Sequence, residues 1–180
     1  MGKRSDGQFE RKARDFYPTP PKAIDPLLPH LLPNTRFCEP CAGDGRLTEY
    51  LVEHGHVCTA QYDIEPQADG IEVMNALKMT TRHLSGAEMF ITNPPWARDI
   101  FHPMIARFVT IGASAWFLCD ADWAHTVQAA EYMPYCAKIV SVGRVKWEPD
   151  SKYQGKDNAA WYFFTPTRRS APAFYGRTKK

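Results

Sequence analysis

Arg36-Phe37-Cys38-Glu39-Pro40-Cys41-Ala42-Gly43-Asp44-Gly45-Arg46-Leu47 is the stretch whose reading decides the fold. Arg36 to Cys38 predicts a short strand. Glu39 to Arg46 is a turn carrying Gly43 and Gly45, and Leu47, Tyr50, Leu51 and Val52 follow at helical spacing. Strand, glycine turn, helix is an order in which backbone can approach a ligand closely, because glycine puts no side chain in the way. The helix start favours polar or anionic groups. The spacing is not the GxGxxG of a dinucleotide fingerprint.

Working outward, the pattern repeats. His56 to Tyr62 is the next strand and ends at Asp63. An acid at that strand tip, about 20 residues past a glycine turn, holds ribose hydroxyls in α/β sheets; a turn acid or helix N-cap is the other reading. Glu65 falls beyond the tip. Gly70 to Met74 predicts a short strand ending at Asn75, and Thr80 to Ser85 a link. Glu88 to Thr92 predicts a strand. Arg98 to Thr110 predicts a helix with Ile100, Phe101, Met104, Ile105, Phe108 and Val109 on one face. Ala113 to Cys119 predicts a buried strand and Asp120 to Glu131 a helix. Lys138 to Val142 and Ala159 to Thr165 predict two strands with no helix between them, hence an antiparallel hairpin. On the amino side, Thr19 is the expected N-cap of a helix with prolines in its first turn, shortened or kinked by Pro26 and Pro29. Alternating strands and helices imply an α/β fold, a mostly parallel sheet with helices on both faces.

Met89-Phe90-Ile91-Thr92-Asn93-Pro94-Pro95-Trp96 carries the chemistry. An apolar run stopping at prolines delivers a stiff turn at a strand end. Pro94 and Pro95 lack N–H donors, Asn93 adds an acceptor and Trp96 a flat face. Together they make a slot for a planar group bearing an NH2, as a nucleobase does. A proline-terminated strand with a packing tryptophan is the plainer reading.

The 180 residues suit one domain, with 44% hydrophobic and 23% charged residues. The expected layout is a basic flexible arm over 1–14, one domain over 15–166, and a basic tail over 167–180. A net charge of +2 does not by itself argue for nucleic acid, but Lys3, Arg4, Arg11, Lys12 and Arg14 crowd one end and Arg168, Arg169, Arg177, Lys179 and Lys180 the other. Such tails track phosphate backbones or are simply solvated. The five cysteines are expected as free thiols, Cys38, Cys58, Cys119 and Cys136 in apolar surroundings. Cys38 and Cys41 have CxxC spacing without a second pair, so no metal is expected. His54-Gly55-His56 reads as a helix cap. No apolar run approaches the roughly 18 residues of a membrane span, and the expected compartment is the cytoplasm. Gly143 to Asn158 is a loop in which Arg144, Lys146, Lys152 and Lys156 interleave with Trp147 and Tyr153. That arrangement suits single-stranded or flipped nucleotides; an ordinary exposed loop is the alternative.

Taken together, these motifs resemble the class I S-adenosylmethionine-dependent methyltransferases, specifically those acting on adenine N6 in DNA. Tyr17-Pro18-Thr19-Pro20-Pro21 is similar to the family's N-terminal cofactor motif and Glu39 to Gly45 to its glycine motif. Asp63 looks like the ribose acid and Asn93 to Trp96 like the catalytic motif. Ser151 to Phe163 is similar to the C-terminal part of short phage-encoded members. The resemblance covers roughly Asp15 to Thr165 and implies a Rossmann-like fold that binds S-adenosylmethionine and DNA, with RNA left open. It assigns the cofactor to Tyr17, Thr19, Pro20, Glu39, Pro40, Cys41, Gly43, Gly45, Asp63, Ile64, Asn75 and Asn93. Glu39 would meet the methionine amino group and Thr19 its carboxylate. Catalysis falls to Asn93, Pro94, Pro95 and Trp96, and the acceptor to Trp96, Lys146, Trp147, Lys152, Tyr153 and Lys156. Two features depart from the family. Asn75 stands where an acid is usual, its side-chain oxygen being the expected acceptor from the cofactor adenine. Nothing in these 180 residues is long enough for the target-recognition domain of larger members, so specificity is expected to lie in loops, tails or a partner, or to be weak. Protein glutamine, RNA adenine and DNA cytosine N4 pose the same chemical problem, and a non-catalytic binding domain is the remaining alternative.

Overall fold

The computed structural model describes residues 17–147 and 155–177. Its elements in chain order are α1 (Pro21–Ile24), β1 (Arg36–Glu39), α2 (Arg46–Glu53), β2 (Val57–Asp63), β3 (Glu72–Val73), β4 (Met89–Thr92), α3 (Arg98–Thr110), β5 (Ser114–Asp120), β6 (Cys136–Arg144), β7 (Asn158–Phe164) and β8 (Ala173–Tyr175). The strands form one eight-stranded sheet ordered β3-β2-β1-β4-β5-β7-β6-β8. β1 to β5 are parallel, β7 is antiparallel to both β5 and β6, and β8 is parallel to β6. The expected parallel sheet and C-terminal hairpin are both present.

Period-two alternation assigns the two faces of the sheet. On β5, Ala115, Phe117 and Cys119 join one core with Phe90, Phe101, Phe108, Tyr162 and Phe164. Trp116 and Leu118 face the other way and pack with Ile24, Leu27, Phe37, Leu47, Leu51 and Trp161. Hence α3 covers one face, and α1 and α2 the other. Phe108 lies between Phe90 and Phe117, with stacked ring centroids at 4.2 and 5.6 Å. Burying each such side chain stabilises by roughly 1.5–3 kcal/mol. Trp161 is buried without stranding its indole, because Nε1 donates to Ala23 O at 2.8 Å.

Three segments differ from the sequence reading. Thr19 does not cap α1: Pro20 holds that position without a side-chain cap, and the Thr19 hydroxyl accepts from Asn93 Nδ2 instead. Residues 121–135 are three short 3₁₀ turns, not the α-helix expected over 120–131. Asp120 starts them by accepting from Asp122 N, and Trp123 is held across to α3 through Nε1 to His102 Nε2 at 2.9 Å. These contacts outweigh local helix preference. The C-terminal segment, read as a loose tail, supplies β8 at the sheet edge. His54 is the C-cap of α2, as read. All five cysteines are free thiols, with Cys41 and Cys58 half-buried rather than deep. No described helix is long and apolar enough to cross a membrane.

Candidate active site

The chain runs outward from β1 to β3 and then returns to β4 beside β1. In such sheets the crevice at the carboxyl ends of the strands, where the order reverses, is the ligand site. A cleft of about 640 Å³ lies there, a volume suited to a small molecule. It is lined by Tyr17, Pro18 and Thr19 before α1, by Glu39 to Asp44 after β1, by Asp63 to Glu65 after β2, by Met74 to Leu77 after β3, and by Asn93 and Pro95 after β4. Separate stretches of sequence thus converge because each follows a neighbouring strand tip.

The glycine turn is built as its sequence requires. Gly43 and Gly45 have φ of 56° and 83°, a region that disfavours side chains. Gly45 is the N-cap of α2 and does not line the cleft. Gly43 N donates to Asp63 Oδ2 at 2.8 Å, while Asp63 Oδ1 accepts from Glu65 N at 2.8 Å. The second-strand acid therefore braces the glycine turn, and each oxygen keeps a further lone pair for a ligand.

Glu39 is fully buried at the floor of the cleft and accepts from Thr48 Oγ1. Burial pushes its carboxyl up to about 8, partly offset by the Thr48 hydrogen bond and reinforced by the charge of Asp63. Desolvation likewise raises the Cys41 thiol, so this cysteine is a wall rather than a nucleophile. Glu39, Asp44, Asp63 and Glu65 all line the cleft, and among the described residues no Lys, Arg or His does. Asn75 also lines it, but its Oδ1 already accepts from Leu77 N at 2.9 Å, starting the turn over Ala76–Lys78. The oxygen expected to meet a cofactor adenine thus has one lone pair left.

Asn93 is oriented at both ends of its amide. Nδ2 donates to Thr19 Oγ1 at 3.1 Å and to Tyr17 O at 3.5 Å. Oδ1 accepts from Trp96 Nε1 at 3.2 Å, and the same indole N–H reaches Leu118 O of β5 at 3.1 Å. The indole thereby ties Asn93 to the neighbouring strand. Trp147 meets Trp96 edge-on, with centroids 5.5 Å apart at 84°, and Tyr17 at 6.4 Å. Gly155 N donates to Val145 O at 2.8 Å, and a Cβ there would lie 2.8 Å from that oxygen and 3.3 Å from Trp147. A side chain at position 155 would clash with the Val145 carbonyl and crowd the ring.

Of the sequence-assigned residues, Tyr17, Thr19, Glu39, Pro40, Cys41, Gly43, Asp63, Ile64, Asn75, Asn93 and Pro95 line the cleft; Pro20, Gly45, Pro94 and Trp96 are not among its lining residues. Trp147 stands at Trp96, whereas Lys146 and Lys156 are exposed on the hairpin. Lys152 and Tyr153 lie outside the described residues. The apolar wall of Met74, Leu77, Ile100 and Met104 was missed. Ile100 and Met104 share a helix face at i, i+4 spacing, which reads equally well as core.

No model of a known protein family matches the sequence, and no curated protein matches it. Solved structures do resemble the fold. A candidate RNA methyltransferase of Pyrococcus horikoshii superposes with a TM-score of 0.56 at 16% identity, over 86% of this chain and 88% of that one. The 23S rRNA methyltransferase ErmE gives 0.51 at 16%, over 87% and 71%. The tRNA (uracil-54, C5)-methyltransferase of Pyrococcus abyssi, solved with S-adenosyl-L-homocysteine, gives 0.51 at 14%, over 80% and 38%. The fold is the Rossmann-like fold of class I methyltransferases.

Proposed function

We propose that this chain transfers a methyl group from S-adenosylmethionine to the N6 amino group of adenine in DNA. The observation that carries the reading is the Asn93 carboxamide, held by Thr19, Tyr17 and Trp96 beside an acid-lined cleft.

The donor set suits this cofactor. A cleft whose described lining carries Asp44, Asp63 and Glu65 beside the buried Glu39 and no basic side chain disfavours a pyrophosphate-bearing dinucleotide and favours a cationic ligand. When bound, S-adenosylmethionine supplies an electrophilic methyl group on a positively charged sulfur. Asp63 and Glu65 would hold the ribose hydroxyls, Glu39 the ammonium, and Met74, Leu77 and Ile100 the adenine ring.

Adenine's amino nitrogen is a weak nucleophile because its lone pair is delocalised into the ring. The residues must therefore position and polarise it. Asn93 Oδ1 spends one lone pair on Trp96 and keeps another for one amino hydrogen. The Pro94 carbonyl would take the second. Held by two acceptors, the nitrogen turns its lone pair out of the ring plane. A neutral carboxamide does not retain a proton, so the proton passes to solvent after transfer. Trp96 and Trp147 would flank the extruded base, offsetting part of the few kcal/mol lost on unstacking.

Choosing DNA over RNA rests on the resemblance of the sequence motifs, Asn93 to Trp96 above all, to those of the DNA adenine methyltransferases. The test is mass spectrometry of digested nucleosides, with protein hydrolysates read in parallel, after incubating the protein and S-adenosylmethionine with unmethylated DNA, RNA and a cell extract. N6-methyl-2′-deoxyadenosine is expected. N6-methyladenosine in RNA alone would move the assignment to RNA, and methylglutamine alone to protein.

A further inference from the structure

The C-terminal strand places a cation at the face that carries the cleft. β8 pairs in parallel with β6 through Lys138↔Ala173, Ile139↔Phe174 and Val140↔Tyr175. β5 and β6 both run antiparallel to β7, so β8 shares the direction of β4 and β5. The chain leaving β8 therefore emerges at the carboxyl edge of the sheet, the edge at which Asn93 follows β4.

Arg177 lies there against the backbone of β6. A Cβ on Gly143 would sit 2.9 Å from Arg177 Nη1 and 3.1 Å from its Cδ and Cζ. Gly143, at φ 85° and beside a register shift, thus leaves the gap in which the guanidinium lies on β6. Arg144 is the next residue, and Lys146 follows two further on. Lys156 stands on the returning arm, next to the Gly155–Val145 hydrogen bond. Arg144, Lys146, Lys156 and Arg177 are all exposed, and none is ion-paired among the described residues. Asp157 is the described carboxylate nearest to them in sequence. Arg177 lies on the Gly143 side of β6 and Arg144 on the other, while Lys146 directly precedes Trp147, which meets Trp96 and Tyr17 at the cleft.

We propose that Arg177, Arg144, Lys146 and Lys156 form a phosphate-binding ridge that carries a DNA strand across the β6–β8 edge to Trp147. The proposal rests on the nucleic-acid reading above and adds the strand's path and the part played by β8. An extruded base needs its flanking backbone held while the base leaves the stack, and cations spaced along one rim do this without reading sequence. Gly143 is glycine for its left-handed backbone, and its missing side chain leaves the guanidinium room to lie there.

The test measures binding of a fluorescent oligodeoxynucleotide to the full chain by anisotropy across a salt series. Wild type should bind with a negative log–log slope against salt. Arg177→Ala and Arg144→Ala should each weaken binding about three- to tenfold and flatten the slope by about 0.7 per lost contact on single-stranded DNA. Arg177→Lys should restore the slope, which a packing loss would not allow. Arg82→Ala, an exposed arginine in the turn before β4, should behave as wild type. Unfolding temperature and S-adenosylmethionine affinity should not change in any variant. Unaltered affinity and slope in Arg177→Ala and Arg144→Ala would overturn the ridge and leave the methyltransferase reading standing. No salt-dependent DNA binding by wild type would overturn both the ridge and the choice of DNA as substrate.

Discussion

Asn93→Ala is expected to lower methyl transfer by about a hundredfold or more, the scale seen when one aligned polarising group is removed from an active site. S-adenosylmethionine binding should stay within a few-fold of wild type. The expectation follows from what the carboxamide touches. Its nitrogen is taken up by Thr19 Oγ1 and Tyr17 O, so its oxygen is the end available to an acceptor. Alanine removes that oxygen. Trp96 keeps its bond to Leu118 O, so the indole stays anchored to β5. Turnover and calorimetric cofactor affinity, measured on the same preparation, separate the two effects. Near-normal turnover would remove Asn93 from the chemistry, while joint loss of turnover and binding would make it a structural residue of the cleft.

Asp63→Ala should weaken S-adenosylmethionine binding about ten- to hundredfold, the range of a hydrogen-bonded carboxylate deleted from a ligand site. The carboxylate both braces Gly43 N and offers its remaining lone pairs to the ribose. Asp63→Asn, which retains one acceptor, should fall between alanine and wild type. Affinity also carries a pH dependence from Glu39. Its carboxyl is protonated below about 8, whereas a cationic ligand favours the ionised form. Between pH 6 and 7.5, affinity should therefore rise by up to about tenfold per unit, and Glu39→Gln should flatten the rise. For folding, the sign is opposite. The unfolded carboxyl ionises near its ordinary 4.5 and the folded one near 8, so Glu39 contributes stability that is full below pH 4.5 and lost as pH rises through about 8. A flat calorimetric profile in wild type would contradict the placement of the cationic ligand beside Glu39.

Much of this architecture is written locally. β4 and β5 are continuous buried runs, and the motif residues follow strand tips, so reading the strands in order also located the cleft. What escaped the reading depends on distant partners. Thr19 looked like a helix cap because its neighbours are prolines; its actual partner, Asn93, is 74 residues away. The turns after β5 are set by Trp123 reaching His102 across the fold. β8 has three residues, with Phe174 still 69% exposed, and nothing in its composition signals a strand. Only pairing with β6 makes it one. The apolar cleft wall was hidden for a different reason: Ile100 and Met104 satisfy the helix-core pattern whether they face core or ligand.

The most direct measurement is label transfer from methyl-labelled S-adenosylmethionine to paired oligodeoxynucleotides, one carrying adenine and the other purine at every adenine position. Purine has the same ring and no amino group. A site built around Asn93 should label the adenine strand and leave the purine strand blank. Equal labelling of both strands would contradict the account, because the methyl group would then be going somewhere other than the amine.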